Sequence, residues 1–132
     1  MSTMSTAGVV ATTPRHVTTA EGLAITSFRL AANRRRFDST ENKWVDVETN
    51  WFTVVAFRQL AHNAQHSIHK GDRVVVAGRL RVREWENDSS QGTAVEIEAD
   101  SLGHDLLWGT TEYSKNTRPA DDREDEDSLE RV

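Results

Sequence analysis

The sequence predicts an all-β fold: a five-stranded Greek-key barrel with one helix between the third and fourth strands, followed by a disordered acidic tail. Three observations carry that expectation. Short apolar or alternating segments rich in Val, Thr and Phe recur as far as Leu102, which is the pattern of half-buried strands. One segment, RQLAHNAQHSIHK (58–70), sets Leu60, Ala61, Ala64 and Ile68 on one stripe at helical spacing. Beyond Tyr113 the chain turns polar and acidic, with Pro119 and almost no apolar residues.

The elements follow in order. AGVVATT (7–13) reads as a first strand closed by Pro14, and HVTTAEGLAITSFRLAAN (16–33) as a second, entered through Glu21 and Gly22. In its second half Phe28, Leu30 and Ala32 face one side and Arg29, Asn33 and Arg35 the other. RRRFDSTENKWVDVETN (34–50) is a long connection too charged to pack, with Phe37 and Trp44 embedded in it. WFTVVAF (51–57) is a third strand, apolar on both faces. The helix ends at Gly71, a residue suited to a C-terminal stop. DRVVVAGRLRVREW (72–85) is a fourth strand whose stretch Val74 to Ala77 is apolar on both faces, so the helix or another subunit must cover it. NDSSQG (87–92) is a loop, and TAVEIEADSL (93–102) a fifth strand with Val95, Ile97 and Ala99 inward and Glu96, Glu98 and Asp100 outward. GHDLLWG (103–109) ties down the end. Three strands, a helix and two strands are the element order of an OB-fold. The domain boundaries expected are 1–113 for the barrel and 114–132 for the tail.

Composition excludes little about the ligand. The net charge is −5 over 132 residues, but Ser114 to Val132 hold four basic against seven acidic residues, so −3 of it lies in the tail. Local arrangement must therefore decide. There is no cysteine, hence no disulfide and no thiolate metal site. MSTMSTAGVVATTP lacks the basic and apolar regions of a signal peptide, and no run is long enough to span a membrane. A soluble, cytoplasmic protein is expected.

The stretch GRLRVREWE (78–86) carries the functional signal. In an extended chain Arg79, Arg81, Arg83 and Trp85 share one face, while Leu80 and Val82 point to the core. Three cations and an indole are costly to bury and have no evident partner inside, so that face should meet an anion with flat groups. Trp51, Thr53, Val55 and Phe57 share one parity on the third strand, and Arg29, Arg35 and Phe37 lie along the second. OB-folds that bind single strands combine a positive groove with stacking aromatics. Trp51 and Phe57 could equally be core residues. Arg34, Arg35 and Arg36, with Lys43 and Trp44, form either a wrapping arm or a solvated loop.

Catalytic and metal chemistry find no support. His62 and His66 have the spacing of a metal pair, but Asn63 stands where a zincin would need Glu and no third ligand suggests itself. Ser101, His104 and Asp105 are triad residue types without triad evidence, and no phosphate-cradling glycine loop or nucleophile elbow occurs. No enzyme, cofactor or metal is expected.

GVVATTP, FRLAANRRRFD, NWFTVVAFRQLA, KGDRVVVAGRLRVREWE and TAVEIEADSLGHDL together resemble, in order and spacing, the bacterial single-stranded DNA-binding proteins over residues 7–108. The resemblance implies an OB-fold that assembles into a homotetramer and is wrapped by single-stranded DNA in replication, recombination and repair, in the cytoplasm at the nucleoid. It assigns stacking to Phe37, Trp51, Phe57 and Trp85, and phosphate contact to Arg29, Arg35, Arg79, Arg81 and Arg83. Phe37 stands where the family often has Trp. The family's acidic C-terminus ends in an apolar Pro-Phe tip that docks partner enzymes; DDREDEDSLERV keeps the acid without the tip. That departure argues against docking of replication and repair proteins and points to an accessory member. Two rivals remain: an RNA-binding OB domain, since stacking does not check the sugar, and an adaptor acting through its acidic tail.

Overall fold

Apolar side chains at every second position settle which way each strand faces. A computed structural model describes residues 2–117, in six strands and one helix. They are β1 (Thr3–Val10), β2 (Arg15–Thr18), β3 (Ala24–Asp38), β4 (Lys43–Phe57), α1 (Arg58–Ser67), β5 (Arg73–Glu86) and β6 (Gln91–His104). Neighbours run β1-β5-β6-β4-β3, and β1 closes the circuit on β3 through Val9↔Ala31 and Val10↔Leu30. Among the described residues only β4 and β6 pair in parallel. This closed five-strand circuit with α1 between its third and fourth members is the expected OB-fold barrel. The expected single second strand, 16–33, is instead two: a turn over Thr19–Leu23 separates β2, a short strand paired outside the circuit, from β3.

Closure depends on Gly8. A Cβ there would stand 2.5 Å from the Ala31 carbonyl oxygen, so a side chain would hold β1 off β3 where the barrel shuts. Inside lie Val10, Phe28, Leu30, Val54, Val74, Val76, Ile97 and Ala99, with Ala64 and Ile68 brought in by the helix segment. Each large aliphatic side chain so buried contributes roughly 1.5–3 kcal/mol. Val74 and Val76 of the Val74–Ala77 stretch are buried in this shared core, while Val75 stays exposed outside. Thr26 is the one buried polar side chain among the described residues. Its hydroxyl donates to the Ala61 carbonyl (2.7 Å), so His16 Nδ1, also at 2.7 Å, must be the donor to it.

The structure corrects several boundaries. β1 runs Thr3–Val10 rather than 7–13, because seven of its residues pair with β5. The segment 34–50 is no loose connection: β3 and β4 continue as a paired ribbon to Asp38↔Lys43, with a register shift at Arg34/Arg35. Its charge did not prevent pairing, because a ribbon satisfies its backbone across the ladder whatever side chains it carries, and Lys43, Glu48 and Thr49 are exposed. The helix stops at Ser67 rather than Lys70, since Ile68 turns extended and enters the core. Val82, read as facing the core, is 62% exposed, because β5 there has run beyond the barrel.

The helix exit is fastened by Asp72. Its carboxylate accepts from the His69 backbone N–H (3.0 Å) and pairs with His104 Nε2 (3.0 Å) at the end of β6. Partial burial works to raise this carboxyl, but the His104 and His69 hydrogen bonds and nearby imidazole charge outweigh it and hold it below its ordinary value. Beyond β6, Asp105 Oδ1 accepts from Leu107 N, and Arg73 lies over the Trp108 ring at 4.1 Å. Asn116 Oδ1 then accepts from Asn63 Nδ2 on α1 (2.7 Å). The expected tail falls mostly on residues 118–132, outside the described residues. Among the described residues no helix is long and apolar enough to cross a membrane.

Candidate nucleic-acid interface

Register places the candidate residues on one outer face of the barrel. Phe28, Leu30 and Ala32 of β3 are buried, so Arg29 points outward; on β4, Val54 and Ala56 are buried and Trp51, Thr53, Val55 and Phe57 point outward. Arg29 pairs with Thr53, Thr53 with Glu96, and Glu96 with Arg81; one position along, Val55 pairs with Glu98 and Glu98 with Arg79. Side chains of directly paired residues lie on the same face. The face therefore reads across four strands as arginine, aromatic or hydroxyl, carboxylate, arginine.

On the β3–β4 side, Arg29 Nη1 donates to Thr53 Oγ1 (3.1 Å) and the guanidinium lies 5.5 Å from the Trp51 ring centroid. That is cation–π distance, and it fixes both groups. Trp51 is 50% exposed, so it is a surface ring and not core. Further out on the ribbon, Phe37 and Trp44 are cross-strand partners, edge to face at 5.5 Å, and both are exposed. Arg35 occupies a register position two residues before Phe37, opposite Asp46.

On the β5–β6 side Arg79, Arg81 and Arg83 form the expected row, but they have partners. Arg79 meets Glu98 at 3.3 Å, Arg81 meets the other oxygen of Glu98 at 3.7 Å, and Arg83 meets Glu96 at 3.2 Å. The row is exposed as expected, and its partners lie outside the core on the next strand, out of reach of a reading along one strand. Trp85 lies across from Gly92 and against it: a Cβ there would stand 2.7 Å from the ring. The missing side chain is what lets the indole lie down over its neighbour strand.

Phe57 shares this face further along β4, two residues beyond Val55 and six from Trp51, or about 20 Å along the strand; it is half-buried at the N-cap position of α1. The residues missed by the sequence reading are Glu96 and Glu98 as ion-pair partners, Thr53 as a tether and Gly92 as a floor. Their outward parity was visible; the register that pairs them was not.

Other candidates have structural employment. His62 packs against His16 with ring centroids 5.4 Å apart, and His104 pairs with Asp72 rather than with Ser101 or Asp105. Among the described residues no group of three or more His, Cys, Asp or Glu could hold a metal ion.

Comparison with known proteins agrees with this geometry. A family model described as the single-strand binding protein family matches residues 1–105. The single-stranded DNA-binding protein 2 of Tropheryma whipplei (strain Twist) is 56% identical over 115 residues, covering 87% of this chain and 76% of that one. The single-stranded DNA-binding protein 1 of Streptomyces coelicolor is 45% identical over 111 residues, covering 84% and 70%. Among solved structures, the small single-stranded DNA-binding protein from Streptomyces coelicolor superposes with a TM-score of 0.76 at 44% identity, covering 81% of this chain and 96% of that one. The second single-stranded DNA-binding protein of Mycobacterium smegmatis gives 0.64 at 27% identity, covering 86% and 97%.

Proposed function

The chain belongs to the single-strand binding protein family and binds single-stranded DNA, and from that premise we propose how it holds the strand. The family is one of non-enzymatic binding proteins, with replication, recombination and repair as its usual settings. Bases stack on Trp51, Trp85, Phe37 and Trp44, and phosphates are taken by Arg29, Arg35, Arg79, Arg81 and Arg83. The observation that carries this reading is the outer face itself, where solvent-exposed rings and guanidiniums of β3, β4 and β5 are gathered on both sides of the carboxylates of β6. Such a face offers flat apolar surface to any base and charge to any backbone, so it is sequence-tolerant. Phe57, on the same face further along β4, offers a fifth ring at the edge of the platform.

A homotetramer, working at the nucleoid, completes the proposal. Val75 is exposed on the outside of the barrel and borders a shallow, mainly apolar groove with Ser5, Ala7, Ala77, Ser101 and Gly103. A flat sheet face of this kind suits a second copy, and light scattering at micromolar concentration should report an assembly larger than a monomer. The binding reading is tested by titrating oligo(dT), the same length of RNA, and duplex DNA while following tryptophan fluorescence. Quenching by oligo(dT) well ahead of duplex is expected. Preference for RNA would move the reading to an RNA-binding domain, and no quenching by either single strand would remove the stacking face.

A further inference from the structure

Glu96 and Glu98 have no role in the interface as assigned, yet they occupy its centre. β6 lies between Thr53–Val55 of β4 and Arg79–Arg81 of β5, and both carboxylates point to the same face as their neighbours. Their side chains keep only 16% and 25% exposure, against 57% for Arg81 and 66% for Arg83. The carboxylates are therefore fixed, while the two guanidiniums can swing on long stems. With both guanidiniums open to solvent, each pair is screened on its arginine side, and exposed pairs contribute only about 0–1 kcal/mol, so a phosphate can compete for either arginine.

We propose that Glu96 and Glu98 are built-in competitors of the phosphate backbone: a bound strand draws Arg83 from Glu96 and Arg81 from Glu98, and this exchange sets the affinity. The inference rests on the interface assigned above. It has two physical consequences. Three arginines facing two glutamates leave this row far less positive than its sequence suggests. Salt dependence is also blunted. An arginine that moves to phosphate releases the cation condensed on DNA, but the carboxylate it leaves gathers one in turn.

The test uses Glu96→Gln and Glu98→Gln, which keep an acceptor oxygen and remove the charge, with Glu84→Gln as control. Glu84 is exposed on the opposite parity of β5 and makes the same change in net charge. Binding of labelled oligo(dT) is measured across a salt series, with melting temperature confirming the fold. Each of the two variants should tighten binding roughly five- to tenfold at low salt, from removal of one charge a few ångströms from the phosphate. The slope of log affinity on log salt should steepen by up to about 0.7 per arginine released. Glu84→Gln should change affinity by less than about twofold. If wild type does not bind oligo(dT), the interface reading fails. If wild type binds and both variants bind equally or more weakly, the exchange is overturned and the glutamates are positioning groups for the arginines. Equal tightening by Glu84→Gln also overturns it, by reducing the effect to net charge. Should Glu98→Gln melt early, Glu96→Gln carries the decision alone.

Discussion

Replacing Trp85 with leucine removes a flat π face while keeping an apolar cover for Gly92. The distinction matters because Trp85 has two jobs. It is 46% exposed, so roughly half of the ~200 Å² an indole can bury is already covered, in part by Gly92. At about 25 cal/mol per Å² that burial contributes up to ~2.5 kcal/mol to the order of the β5–β6 ribbon. Alanine would forfeit both that and the stacking, and a loss of affinity could not be divided between them. Leucine recovers much of the burial but cannot stack. Base stacking is worth about 1–3 kcal/mol per base, so Trp85→Leu should weaken oligo(dT) binding roughly 5- to 100-fold. Trp85→Phe, which keeps a ring, should lose no more than about threefold. Anisotropy of a labelled oligonucleotide is the assay, since the variants alter the intrinsic fluorescence, and a melting curve accompanies each. Leucine binding as tightly as wild type, with an intact fold, would show that no base rests on Trp85. Phenylalanine binding as poorly as leucine would show that indole shape, not a π face, is what the site uses.

Arg29→Gln frees Trp51 from its cation and Thr53 from its donor, and should weaken oligo(dT) binding several-fold while making the salt slope shallower by up to about 0.7; an unchanged slope would remove Arg29 from the phosphate path. Asp72→Asn should lower stability at neutral pH by about 0.5–1.5 kcal/mol. Because the folded carboxyl is held below its ordinary value, its contribution is full above about pH 4 and vanishes as pH falls through the folded value, so the melting curves of variant and wild type should converge in acid. Gly8→Val should destabilise the barrel by more than about 3 kcal/mol in denaturant unfolding, since its Cβ would sit 2.5 Å from the Ala31 oxygen where β1 and β3 close.

The barrel was legible because its signal is local. Alternation in β5 and β6 is a property of each strand alone, and it placed Arg79, Arg81, Arg83 and Trp85 on one side, with Ile97 and Ala99 in the core. What failed needed a partner from elsewhere in the chain. Val82 has the parity of a core residue, but parity does not say where the barrel ends. The 34–48 ribbon looks like a loop because its residues are polar, and only pairing with a second polar strand makes it regular. The carboxylate partners of the arginine row could be seen as an outward Glu96–Glu98 pair; placing them beside the row required the register of β6 against both neighbours.

The two ribbons that leave the barrel share one construction, and it couples their order to what they bind. β3–β4 reaches Asp38↔Lys43 and β5–β6 reaches Glu86↔Gln91, each as a two-stranded extension. Such ribbons are marginal in water by themselves. Each carries an aromatic clasp near its tip: Phe37 edge to face with Trp44, and Trp85 laid on Gly92. Those clasps use one side of a ring to hold the strands together and leave exposed surface on the other. A base stacked on that surface, as proposed above, would bury the ring further and strengthen the clasp, so that a bound strand and a regular ribbon would stabilise one another. The barrel wall behaves differently. Trp51 is held by Arg29, which Thr53 in turn fixes, over a strand that has neighbours on both sides. The face thus combines a centre tethered by side-chain contacts with two ends carried on two-stranded ribbons. On the proposed interface that division would serve a sequence-tolerant binder, because the centre would set the path of the strand while the ends would meet whichever bases the path presents.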